Sequence, residues 1–223
     1  YVKAYLSRGI VYWALKEYDK ALADLNRTIE LDPKSTFAYN NRGIIYANLK
    51  DYIKAIADYN RVIELDPKLA LPYNNRGQVY LALKEYVKAI AEYNQAIELN
   101  PKYVLAYSNR GNIYFELKDY IKAIADYNRA LELDPKYVNA YYNRGRTWHL
   151  LKEYDKALAD YNRVIELSPK YKWAYHNRGV AFYRLKDYYR AIGDLSQAIE
   201  LDANFTSAYN YRGLCYLELN MKP

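Results

Sequence analysis

The residues able to do chemistry by type and spacing are few. They are two histidines, His149 and His176, a lone cysteine, Cys215, and seven arginines recurring every 34 residues (Arg8, Arg42, Arg76, Arg110, Arg144, Arg178 and Arg212). Two imidazoles could begin a metal site, but no cysteine or carboxylate cluster completes one, so no metal is expected. Cys215 stands where earlier 34-residue units carry Val11, Ile45, Val79 and Ile113, which makes it a core residue rather than a nucleophile. A single cysteine also excludes an internal disulfide framework and fits a reducing, cytoplasmic compartment. The arginines have a candidate partner sixteen residues on: Asp24, Asp58, Glu92, Asp126, Asp160 and Asp194. Arg and acid recurring together predict an ion pair inside a scaffold. No phosphate-cradling glycine loop occurs. The expectation is a chain without catalysis or cofactor.

What must position these residues is a repeat. Glycines fall at 9, 43, 77, 111, 145, 179 and 213, and prolines at 33, 67, 101, 135 and 169, all 34 apart. With the glycine as position 8, full repeats run 2–35, 36–69, 70–103, 104–137, 138–171 and 172–205, and 206–223 is a terminal partial repeat or capping helix. Within 36–69, Ala38, Tyr39, Ile45, Tyr46 and Leu49 recur at helical spacing. After a break at LKDY, Tyr52, Ala55, Ile56, Tyr59, Ile63 and Leu65 form a second stripe, ended by Asp66-Pro67. Gly43 and Ala55 are small where the two helices must approach. A unit of this size cannot bury both stripes alone, so successive pairs must stack in one array spanning 1–223.

The chain resembles the tetratricopeptide repeat (TPR) family. That pattern is Trp-x2-Leu-Gly-x2-Tyr, Ala-x3-Phe, then Pro; the second repeat has Tyr39-x2-Arg42-Gly43-x2-Tyr46, Ala55-x3-Tyr59 and Pro67. Two departures are systematic: Tyr replaces Trp, and Arg replaces Leu in all seven units. The resemblance implies an all-α, right-handed superhelical solenoid of antiparallel helix pairs. It further implies a concave groove lined by the first helices, in which an extended peptide lies. The carboxylate clamp of the family's chaperone-tail binders is not matched: position 5 is never Lys and position 6 never Arg.

Repeats two and four agree at 25 of 34 positions, and five of the nine differences (2, 5, 9, 12 and 13) share one face of the first helix. A face exempt from repeat packing is expected to look outward. On it lie Trp13, Phe37, Asn40, Asn74, Phe115, Tyr142, Arg146, His149, Trp173, His176, Tyr183 and Arg184, apolar in the first half and basic-aromatic in the second. A partner with an apolar segment followed by an acidic or aromatic one would match. Position 6 is Asn41, Asn75, Asn109, Asn143 and Asn177. Asparagine costs about 0.6 kcal/mol against Ala inside a helix. The repeated cost suggests a ladder of amides reading a partner's main chain, as some TPR superhelices do. The competing reading is that each amide bonds a neighbouring helix. The second column, Asn26, Asn60, Asn94, Asn128 and Asn162, reads as structural.

Net charge is +7, yet 28 of 33 basic and 24 of 26 acidic residues follow the repeat. Interleaved signs describe a solvated face, so nucleic acid is disfavoured, with single-stranded RNA on the basic-aromatic half as a rival reading. No apolar run suits a membrane helix. The chain begins at Tyr1, so targeting segments can lie outside it. The last helix carries Leu214, Cys215, Leu217 and Leu219, which adds end-to-end homo-oligomer stacking as a further reading.

Overall fold

A computed structural model describes residues 1–220; the last three residues of the expected capping segment lie outside them. Among the described residues there are thirteen α-helices and no strand. The helices are α1 (Val2–Ala14), α2 (Tyr18–Leu31), α3 (Thr36–Asn48), α4 (Tyr52–Leu65), α5 (Ala70–Ala82), α6 (Tyr86–Leu99) and α7 (Val104–Glu116). They continue as α8 (Tyr120–Leu133), α9 (Val138–Leu150), α10 (Tyr154–Leu167), α11 (Lys172–Arg184), α12 (Tyr188–Leu201) and α13 (Thr206–Glu218). Each expected repeat is thus one helix pair. The helices group into two units, Tyr1–Ile113 and Tyr114 onward.

Local chemistry sets the boundaries. The first helix of each full repeat ends in a left-handed residue that is a lysine, not a glycine: Lys16, Lys50, Lys84, Lys118, Lys152 and Lys186 have φ of 60–63°. At Lys50 the ending is a Schellman closure, with Lys50 N–H donating to Ala47 O (3.0 Å) and Asp51 N–H to Tyr46 O (2.8 Å). Left-handed backbone costs a non-glycine residue about 1 kcal/mol, recovered by two satisfied carbonyls. Asp51, Asp119 and Asp187 then cap the next helix. Second helices α2, α4, α6, α8 and α10 stop at the residue before an Asp-Pro, Asn-Pro or Ser-Pro step, and α12 before Asp202-Ala203. Pro72 is tolerated because it lies in the first turn of α5, where its missing N–H has no intrahelical acceptor.

The core is the seam between paired helices. Tyr59, Tyr93, Tyr127 and Tyr161, all at position 24, are at most 1% exposed. Their rings occupy the space left by position 8. A Cβ on Gly43 would sit 2.7 Å from Tyr59 Cε1, and one on Gly77 or Gly145 would sit 2.8 Å from the same atom of Tyr93 or Tyr161. The glycine is therefore a close-approach residue, as its spacing implied.

Within each unit, first helices of successive repeats touch: α1 with α3 and α3 with α5, α9 with α11 and α11 with α13. Among the described residues of each unit, second helices of successive repeats do not. Each unit is accordingly bowed, with its first helices on the inner side.

Candidate functional site

The arginine column builds the scaffold. Arg42 donates from Nε and Nη2 to both carboxylate oxygens of Asp58, at 2.9 and 2.7 Å. Arg144 does the same to Asp160 at 2.9 and 2.6 Å, and Arg178 to Asp194 at 2.7 and 2.6 Å. Arg8 pairs with Asp24, and Arg76 with Glu92. The remaining N–H of the fork reaches back one repeat: Arg42 to Asn26, Arg76 to Asn60, Arg110 to Asn94, Arg144 to Asn128 and Arg178 to Asn162, at 2.6–2.7 Å. Arg42, Arg76, Arg144 and Arg178 thus each tie their own helix pair together and staple it to the previous one. This bidentate geometry is what Arg provides and Leu does not, and it gives the second asparagine column its structural role.

The inner face differs from the sequence expectation at position 5. Asn40 and His176 are 8% exposed, and Asn74 and Ser108 are 1% exposed; Tyr142 is half-buried. These side chains do not look outward. Asn40 and Asn74 accept from the next repeat's position 6: Asn75 Nδ2–H to Asn40 Oδ1 (3.0 Å), and Asn109 Nδ2–H to Asn74 Oδ1 (3.2 Å). In the second unit Asn177 Nδ2–H donates to Tyr142 Oη (3.1 Å). Asn41 donates within its own helix, to Phe37 O at 2.8 Å. Position 5 varies because Asn and Tyr can each accept the amide hydrogen and His176 bonds Asn177 and Ser207 instead, not because it is free of packing. All five position-6 asparagines are half-buried.

The remaining expected residues divide by exposure. Phe37 (71%), Trp173 (45%) and Trp13 (36%) are exposed, as is Arg184. In the first unit a cavity of about 240 Å³ opens beside Phe37, walled by Val62, Leu69, Leu71, Pro72 and Asn40. In the second, Phe115, Arg146, His149, His176 and Asn177 come together around a cavity of about 310 Å³, with Tyr183 outside its lining. That cavity also takes Leu150, Tyr161, Val180, Ser207 and Tyr211, which sequence reading missed. Val180, Ser207 and Tyr211 occupy positions 9, 2 and 6 of later repeats, so the shared face already marked them. Tyr161 comes from a second helix and is visible only in three dimensions. Also missed is a column at position 18, where Ile53, Val87 and Ile121 are 82–85% exposed on second helices.

His176 anchors the second unit's inner face. Its ring stacks on Phe205 with centroids 4.8 Å apart, and Trp173 meets Phe205 edge-on at 4.6 Å. With Nδ1 protonated, a chain of bonds runs from Ser207 Oγ–H to His176 Nε2 (2.8 Å) and from His176 Nδ1–H to Asn177 Oδ1 (2.9 Å). Burial pushes His176 below the usual 6.5, the bond to Asn177 pulling the other way. A neutral buried histidine stabilises above its unfolded pKa and loses that contribution as pH falls through the depressed folded value. The second unit is therefore expected to weaken as pH drops from about 6.5 toward 5. His176→Asn, which places there the residue found at Asn40, Asn74 and Asn210, reduces that dependence in thermal melts, the remainder belonging to His149, which burial also holds down.

Among the described residues no group of three His, Cys, Asp or Glu is placed to hold a metal, and no helix is long and apolar enough to cross a membrane. Cys215 is fully buried, while Leu214 and Leu217 of α13 are exposed.

The sequence profile of the tetratricopeptide repeat matches residues 2–35, 36–69, 104–137, 138–171 and 173–205. Related TPR profiles match 77–118 and 58–91. Among curated proteins no sequence matches significantly. Of solved structures, YrrB, described as a TPR protein with an unusual peptide-binding site, aligns with TM-score 0.67 at 22% identity over 83% of this chain and 96% of its own. Pseudomonas aeruginosa pilF aligns with TM-score 0.84 at 18% identity over 96% and 97%. A tetratricopeptide repeat protein from Parabacteroides merdae aligns with TM-score 0.74 at 21% identity over 98% and 87%.

Proposed function

The chain belongs to the tetratricopeptide repeat family, and from that premise we propose that it is a non-catalytic interaction scaffold binding an extended segment of a partner protein along its first helices. Proteins of this family bind protein or peptide partners, and a peptide-binding site is attributed to YrrB. The observation that carries the reading is the bowing of each unit. It gathers the first helices on one side and leaves Phe37, Trp13 and Trp173 exposed there, Phe37 beside an open cavity. An aligned apolar surface of this kind marks an interaction site. The asparagine ladder fits the same use. The scaffold takes one N–H of Asn41, Asn75, Asn109 and Asn177, and an amide nitrogen carries two.

Capture from a random dodecapeptide library tests this. Phe37→Ser is expected to leave folding within about 0.5 kcal/mol of wild type, because the ring is exposed, and to weaken captured peptides about tenfold. Ile53→Ser, equally exposed on a second helix, leaves capture unchanged. No capture by wild type, equal loss from both variants, or competition by poly(U) RNA with steep salt dependence contradicts the proposal.

A further inference from the structure

Arg146, a non-periodic base of the second unit, is unlike the arginine column. Each periodic arginine spends its fork on a carboxylate, an amide or a hydroxyl. Arg146 donates a hydrogen bond to none of the described residues. Its guanidinium lies instead 4.7 Å from the Phe115 ring centroid and 5.8 Å from that of Tyr142. An aromatic shelf of this kind fixes the cation and leaves its N–H donors for a bound group. The cavity beside it, about 310 Å³, is lined by no Asp or Glu.

The rest of the lining points to the same ligand charge. His149 Nδ1 is buried and has no hydrogen-bond partner. Burial holds His149 below its ordinary pKa, and the positive charge of Arg184 pushes it further down. Phe115, Leu150 and Val180 supply apolar wall, and charge pairing strengthens where water is excluded. A planar carboxylate is the group that a guanidinium fork meets in two parallel bonds.

We propose that the cavity between α9, α11 and α13 is a carboxylate subsite, seating an acidic side chain or a terminal carboxylate of the bound segment. This rests on the peptide-binding reading above and adds a charge requirement to it. An arriving carboxylate gives Arg146 the counter-charge it lacks and favours protonation of His149.

Three small probes added to the full chain test the subsite without any peptide being known. N-acetylglutamate N-methylamide offers only a side-chain carboxylate, N-acetylglutamine only a terminal one, and N-acetylglutamine N-methylamide neither. NMR would follow the Arg146 Nε–H resonance and the titration of the His149 ring. The expected result is saturable binding of at least one carboxylate probe, with the His149 pKa rising, and no response to the neutral probe. Whichever carboxylate probe binds identifies the source. Arg146→Gln weakens that binding about tenfold or more, whereas Lys136→Gln, an exposed loop charge, leaves it unchanged. No saturable response, an equal response to the neutral probe, or equal weakening by both substitutions overturns the proposal. The wild-type comparison stands even if Arg146→Gln folds poorly. Probe binding with an empty library screen would sink the peptide reading alone, and captured peptides without probe binding would sink the subsite alone.

Discussion

Arg144→Leu is expected to lose about 3 kcal/mol of stability, although Leu is the residue of the general family pattern at this position. The loss comes from what is left behind. Asp160 is 4% exposed and accepts two charge-assisted bonds from Arg144. Burial already pushes its carboxyl above the ordinary range, against the pull of the guanidinium. Without the arginine the carboxylate is buried and unpaired, and Asn128 loses its donor. Such a group stabilises when protonated, below its unfolded pKa, and stops doing so as pH rises through its raised folded value. The deficit of the variant should therefore shrink on acidification toward about pH 4. Adding Asp160→Ala removes the orphaned charge, and the double variant is expected within about 1 kcal/mol of wild type. Chemical denaturation of the four proteins of this cycle checks the coupling. Additive single effects would mean that the pair is not the staple described here.

Tyr93→Ala is expected to cost about 4 kcal/mol, the largest effect of any single truncation considered. The ring is fully buried between paired helices, and its size is matched to the absent side chain of Gly77. Removing it opens a cavity that the rigid helix pair cannot close. Tyr93→Phe should behave oppositely. Tyr93 Oη is buried with no hydrogen-bond partner, so deleting it removes an unmet polar group and keeps the packing. The expected change is neutral to about 1 kcal/mol stabilising. A loss comparable to that of Tyr93→Ala would show that the hydroxyl has an essential partner. Equilibrium unfolding of both variants separates volume from polarity at this seam.

The repeat explains how much was legible in the sequence. Anything that returns every 34 residues and depends on one helix pair could be read directly: the division into helix pairs, the small glycine where the two helices approach, and the Arg–acid pair sixteen residues apart. Even the arginine's departure from the family's leucine announced a polar partner. Contacts between repeats were harder. Position 5 is read as outward because it varies among Asn40, Asn74, Ser108, Tyr142 and His176, yet these side chains are buried or half-buried, and more than one chemistry satisfies the contact: Asn40, Asn74 and Tyr142 accept an amide hydrogen, while His176 bonds Asn177 and Ser207. Variation reports the looseness of a chemical requirement, which is a different quantity from exposure. Tyr161's place in the second unit's cavity was hidden for another reason. It lines the cavity from α10, a second helix, and the periodicity of a first helix does not record a neighbour from another helix. The exposed column of Ile53, Val87 and Ile121 was overlooked because a strong apolar stripe on the same helices drew attention to their buried side.

A crystal structure of the chain with a captured dodecapeptide tests the central claim most directly. The account predicts an extended peptide against first helices, beside Phe37 or in the cavity at Arg146, with its main chain bonded to position-6 amides such as Asn75. A peptide seated on the second helices at Ile53 and Val87, or bound as a helix, would contradict it.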